Sequence, residues 1–285
     1  MDNILINAFA DEASSIIDNQ IIAMKRNALN GLEIRNADGI NCVDLTAEKA
    51  KEIRSKLDNA GLSVWSMGSP IGKITLEDDF EAHLDKLRNG LEIANILGAK
   101  NLRMFSFFMP KDEDPAPYKQ QVIDKVGRML DVAAGSGVKL CHENEKGIYG
   151  DMASRCLELL TTFPQMGGIF DPANFVQCGQ DTWKAWNMLK PYICYMHIKD
   201  ALANGSVVPA GYGIGNVAKI VPEYIAQGGR AFTLEPHLTV FDGLASLERE
   251  GQTSDVGTQF TYPSADAAFD AACQAFQKII KEVVA

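Results

Sequence analysis

With 285 residues, 46% of them apolar and 22% charged, the chain can bury a sizeable core and falls outside the disordered and fibrous classes. A formal charge of -10 and an isoelectric point near 4.9 exclude a surface built to attract a phosphate backbone, because Lys and Arg are dispersed, as in Lys49, Lys51, Arg54 and Lys56, and form no basic patch. No apolar run approaches the roughly 20 residues of a membrane helix, Met1-Asp2-Asn3 is not a basic leader, and the six cysteines lack two-residue spacing. The expectation is a soluble, cytoplasmic protein with reduced thiols and neither nucleic-acid nor membrane partners.

Short β-rich runs alternate with longer amphipathic ones, the pattern of βα units around a parallel sheet. Strands are expected at residues 4–9, 31–35, 62–67, 101–105, 138–142, 168–170, 193–198 and 231–234. Between the third and fourth, Leu84, Leu87, Leu91, Ala94 and Leu97 share a helical face; between the fourth and fifth, Val122, Val126, Met129 and Ala133 do so. Each helix precedes a glycine suited to a C-cap, Gly98 in one case and Gly135 or Gly137 in the other. A last helix carries Phe269, Ala272, Phe276, Ile279 and Val283. Eight unbroken units, with no dinucleotide glycine fingerprint after the first strand, favour a closed (β/α)8 TIM barrel over an open doubly wound sheet, as one domain over residues 1–285. The longer loops after Met67, after Phe108 and between Asp200 and Gly215 then emerge at the C-terminal mouth, where such barrels carry their chemistry.

The last four strands each end at a residue able to ligate a metal: Glu143 in CHENE, Asp171 in FDPAN, His197 in MHIKD and Glu235 in LEPH. Successive separations of 28, 26 and 38 residues are one βα unit each, so a barrel brings all four to one axial point. Three carboxylates and an imidazole concentrate negative charge unless a cation binds, and their oxygen and nitrogen donors suit Mn²⁺, Mg²⁺, Co²⁺ or Zn²⁺. Singly, each has an ordinary explanation: Asp171 before Pro172 as a turn former, His197 as a core histidine, the glutamates as ion-pair members. The coincidence at four successive strand ends points to a metal.

The neighbouring residues supply further candidates. Asp200, three residues past His197, can orient that imidazole or Lys199. Glu33 and Arg35 either reach the pocket from across the barrel or pair with each other. His142 and His237 flank the two glutamates and, by strand alternation, point away from them; His142 reads as structural, and His237 as structural or as a substrate contact. Gly211-Tyr212-Gly213-Ile214-Gly215 presents backbone N–H groups to an anion but lacks the nucleotide-loop pattern, and reads first as a flexible loop. Trp65, Phe107, Phe108 and Trp183 either line a sugar pocket or pack within loops.

The four blocks resemble the sugar phosphate isomerase/epimerase group of the xylose-isomerase-like barrels, whose relatives include ketose 3-epimerases, hydroxypyruvate isomerase and inosose dehydratase. The resemblance covers nearly the whole chain and is strongest over residues 138–238. It implies one divalent metal ion, Mn²⁺ foremost, on Glu143, Asp171, His197 and Glu235, with Glu143 and Glu235 doubling as the acid/base pair on opposite sides of the substrate carbon. The implied substrate is a small sugar or sugar phosphate, and the implied reaction is isomerisation or epimerisation by proton transfer through an enediolate. Candidate substrate contacts are Glu33, Asn174, Lys199, Asp200 and His237. Asn174 stands where ketose 3-epimerases carry a substrate-contacting His, which departs from a free-ketose epimerase while keeping hydrogen-bonding capacity. The same groups can expel a β-hydroxyl, so an inosose-type dehydratase is the neighbouring alternative; a non-catalytic carbohydrate-binding barrel is a more distant one. The endonuclease branch needs several metals and more His ligands than the four His here supply, and the acidic balance opposes it. Barrels of this group often associate, which leaves a homo-oligomer open.

Overall fold

The computed structural model describes residues 4–241, 256 and 259–284. Eight parallel strands close into a barrel in chain order: β1 (Leu5–Ala8), β2 (Gly31–Ile34), β3 (Ser63–Met67), β4 (Asn101–Met104), β5 (Lys139–Glu143), β6 (Gly167–Phe170), β7 (Ile193–Ile198) and β8 (Ala231–Leu234). Every expected strand is present, with ends within one residue of those read from the sequence. β1 pairs with β8 through Leu5 opposite Ala231 to Ala8 opposite Leu234, which removes both sheet edges.

The outer helices are α1 (Ile17–Arg26), α2 (Ala47–Ala60), α3 (Phe80–Leu97), α4 (Lys119–Ala133), α5 (Ala153–Thr162), α6 (Pro172–Gln177), α7 (Thr182–Leu189), α8 (Val217–Ala226) and α9 (Ala265–Val284). Their ends follow local chemistry. The Asp79 side chain accepts from Ala82 N at the start of α3, and Gly98 ends it in the left-handed region at φ 78°. After α4 the cap is Ala134, and the left-handed Gly135 follows it by one residue. α9 returns to the start of the chain, where Arg26 forks onto Asp270 and Asp266. Exposed pairs of this kind contribute at most about 1 kcal/mol, so burial of Phe269, Cys273 and Phe276 anchors that helix.

Alternation along the strands separates the two mouths. At the N-terminal mouth, Gly167 leaves room for two thiols from the flanking strands: a Cβ there would lie 2.5 Å from Cys194 Sγ and 2.9 Å from Cys141 Sγ. Trp65 lies at this end, in a cavity of about 520 Å³ that Leu5, Cys194, Tyr224 and Ala231 also line. It therefore does not line a sugar pocket at the opposite mouth. Phe107 is core, packed edge-on against Phe80, and Trp183 lies on the outside of the barrel with Lys219 Nζ 3.5 Å from its ring centroid. Two small hairpins, Asn36–Ala37 with Ile40–Asn41 and Asp200–Ala201 with Val207–Val208, add to the loops of the C-terminal mouth. No helix among the described residues is long and apolar enough to cross a membrane.

Candidate active site

β5, β6, β7 and β8 deliver Glu143, Asp171, His197 and Glu235 to one place, with a ligand atom of each within 4.8 Å of all the others. All four are buried. Asp171 is fixed from two directions. Its Oδ1 accepts the Asn174 N–H at 2.9 Å as the N-cap of α6, with Pro172 in the first turn, and its backbone is tied to β5 by a reciprocal pair with Asn144, each bond 2.9 Å. The turn-forming role and a place in the cluster thus coexist in one side chain. Its other oxygen, Oδ2, is buried without a hydrogen-bond donor and faces the cluster, 3.1 Å from Lys199 Nζ. Burial raises the Asp171 carboxyl to about 7, against the lowering effect of Lys199 and with further raising by Glu235 and Glu143.

His197 lies at the centre. Nδ1 is 2.7 Å from Glu143 Oε1 and 3.6 Å from Glu235 Oε2, while Nε2 is 3.1 Å from Glu33 Oε2. Burial alone would discharge the ring, but Glu143 and Glu33 outweigh it and hold the imidazole well above its ordinary value. Glu33 responds in the opposite sense: burial raises it, His197 and Arg103 outweigh burial, and the carboxyl lies below its usual range. Its second oxygen accepts from Tyr195 Oη at 2.9 Å, and that hydroxyl is 3.0 Å from Ser66 Oγ. Glu33 is therefore committed to orienting His197, with both oxygens engaged.

The two glutamates are braced by cations. Arg103 NH1 donates to Glu143 Oε2 at 3.0 Å and lies 3.7 Å from Glu235 Oε1, while Gly68 and Ser69 carbonyls accept from its other nitrogens. Arg35 is clamped by Asp11 at 2.8 and 3.1 Å and by Glu12 at 3.2 Å, and its NH1 reaches Glu235 Oε1 at 3.5 Å. Both guanidiniums lie over the Phe9 ring, 4.5 and 4.9 Å from its centroid. Lys199 Nζ donates to Glu235 Oε2 at 3.0 Å. Burial raises Glu235, but Lys199, His237 and His197 together take it well below its ordinary value.

Six carboxyls (Asp11, Glu12, Glu33, Glu143, Asp171, Glu235) thus share a buried pocket with three cations (Arg35, Arg103, Lys199). Burial pushes Glu12 up to about 8, against the lowering effect of Arg35. The carboxyls outnumber the fixed cations, and a divalent cation, with His197 neutral as its ligand, would offset that excess. With the donor-free Asp171 Oδ2 and a donor set of three carboxylates and one imidazole, the residues fit such an ion.

Other candidates fall in different places. Asp200 does not orient His197, whose nitrogens are already engaged, and has no free edge for a substrate. Its oxygens accept the N–H groups of Ala201, Gly211, Gly213 and Gly215 at 2.8 to 3.1 Å. The glycine segment is therefore a cradle for the chain's own carboxylate, neither an open phosphate site nor a loose loop. Glu33 and Arg35 both reach the pocket and take different partners. Asn174 Nδ2 donates to the Asn144 carbonyl at 2.9 Å and lies 3.5 Å from Glu143 Oε1. His142 points away and pairs with Ser106 at 2.9 Å; burial lowers it to about 3, so it is neutral and structural. His237 departs from expectation. It points towards Glu235, with Nε2 3.6 Å from Oε1 and 3.3 Å from Glu12, on the side a residue two positions further on would share; β8 ends at Leu234, and His237 itself has a φ of 44°. Sequence reasoning missed Arg103, Asp11 and Glu12. The signals were present: a charged residue inside the apolar run NLRMF, and an acidic pair directly after the first strand.

The family model for xylose isomerase-like TIM barrels matches residues 23–236. No curated protein matches the chain significantly. Among solved structures, the chain is similar to an L-ribulose 3-epimerase (15% identity, 100% of this chain and 96% of that one, TM-score 0.73). It is also similar to the IOLI protein with a bound zinc atom (13% identity, 98% and 99%, TM-score 0.73). A third is the probable 3-DHS dehydratase AsbF of Bacillus anthracis, involved in petrobactin synthesis (16% identity, 96% and 98%, TM-score 0.72).

Proposed function

The chain belongs to the xylose isomerase-like TIM barrel family, and from that premise we propose that it is a divalent-metal-dependent isomerase or epimerase of a small sugar or sugar derivative. The observation that carries the reading is the buried quartet Glu143, Asp171, His197 and Glu235, with its donor-free Asp171 oxygen. These four residues would hold the ion, Mn²⁺ foremost. When bound, it would act as a Lewis acid that polarises the substrate carbonyl and lowers the cost of removing the neighbouring proton.

The chain's own groups would handle that proton. Glu143 on β5 and Glu235 beyond β8 are separated on the ring by β6 and β7, so they approach the pocket from different sides. One would take a proton from carbon and the other return one, to the opposite face for epimerisation or to the adjacent carbon for isomerisation. Arg103 steadies Glu143, Arg35 steadies Glu235, and Glu33 sets the His197 ring. Asn174, Lys199 and His237 are the substrate-facing candidates, since each lies beside one of the two glutamates.

A dehydratase reading is favoured by the likeness to the Bacillus anthracis protein: the same base followed by departure of a β-hydroxyl would give water and an enone or keto product. The test is elemental analysis of the purified protein, followed by incubation of the metal-loaded protein with ketoses and inososes and mass analysis of the products. About one divalent ion per chain with an isomeric product supports the proposal, loss of one water selects the dehydratase, and absence of any metal after dialysis against Mn²⁺ overturns both.

A further inference from the structure

Resting on the metal reading above, we propose that Lys199 is a tethered counter-ion: its ammonium holds the pocket together in the metal-free protein and has to leave when a divalent cation arrives. Nζ lies 3.0 Å from Glu235 Oε2 and 3.1 Å from Asp171 Oδ2, two members of the quartet, and the residue is only 5% exposed. The Asp171 oxygen receives no hydrogen bond from it or from any other described group, so that contact is charge without direction. An ion ligated by both oxygens at about 2 Å would lie within roughly 5 Å of the ammonium, in a buried site where like charges repel strongly.

The other two cations are built differently. Arg103 is fixed by the Gly68 and Ser69 carbonyls, and Arg35 by Asp11, partners that lie outside the quartet. Lys199 has no partner outside the quartet among the described residues. Its flexible four-carbon stem can swing where a clamped guanidinium cannot. Metal uptake and lysine position are therefore two faces of one equilibrium: the lysine stabilises the metal-free chain and weakens metal binding by the same amount.

The experiment is calorimetric titration of Mn²⁺ into the chelator-stripped full chain and its Lys199→Met variant, with melting temperatures measured in both states. Lys199→Met should bind Mn²⁺ about tenfold tighter or more and melt lower without metal, the loss being recovered on saturation. Lys199→Arg, which keeps the charge, should show no such tightening. Equal or weaker binding by a folded Lys199→Met overturns the role of the lysine while leaving the metal site standing. If Lys199→Met does not fold, Lys199→Gln carries the same comparison. Failure of the wild-type chain and the variant alike to bind Mn²⁺ overturns the metal reading and this proposal with it.

Discussion

The two halves of the barrel serve the same pocket by different means. The second half, β5 to β8, brings one quartet residue per strand end, and the four turn their ligand atoms towards one another, with Asp171 Oδ2 left without a hydrogen-bond donor. The first half, β1 to β4, brings Asp11, Glu12, Glu33, Arg35 and Arg103, each held by at least one defined bond. On the proposed function, one half would present groups for chemistry and the other would fix their positions, so a substitution in each half should fail in a different measurable way.

The largest effect is expected in the second half. Glu235→Gln keeps the shape but removes the proposed base, and turnover should fall about a thousandfold or more, with circular dichroism unchanged; near-normal turnover would break the division of labour. In the first half, Glu33→Gln leaves the quartet intact but weakens the hold on His197 Nε2. Mn²⁺ affinity should fall roughly 10- to 100-fold, as for other groups that orient a metal-binding histidine, and an unchanged dissociation constant would show that β2 is dispensable.

Asp200→Ala sharpens the comparison from outside the quartet. It strips the acceptor from four backbone N–H groups, so stability in urea should drop by about 3 kcal/mol while Mn²⁺ affinity holds. A pH effect is shared by both halves. Burial keeps His83 on α3 and His142 on β5 neutral, at about 4 and about 3. An unfolded histidine titrates near 6.5, so the stability these groups supply is complete above that value and is lost as pH falls towards their folded values, by up to about 1.4 kcal/mol per pH unit each. Urea midpoints compared at pH 7 and pH 5 measure this, and His83→Gln should flatten the decline.

Sequence alone carried the barrel because the strands and the clearest helices announce themselves through local periodicity, α3 with a capping aspartate and a closing glycine besides, and because one βα unit separates each quartet member from the next. It carried the quartet for the same reason. The bracing groups were harder to read, since Arg103 and Asp11 acquire meaning only from contacts across the ring, with no fixed sequence offset to mark them. His237 was misplaced by a count: it stands two residues past Glu235, and a period of two puts both on one side. Asp200 was picked out as important but given the wrong partner: its carboxylate turns to a loop 11 to 15 residues ahead, a distance that no motif spacing encodes.

That carboxylate also constrains how this protein can diversify. The amides of Gly211, Gly213 and Gly215 are already occupied by an anion that the chain itself provides. Random drift cannot recruit this cradle for a phosphorylated metabolite while Asp200 stays. A lineage that lost the aspartate would open a ready-made anion hole and incur an immediate loss of stability, one that the new ligand, if abundant, could restore.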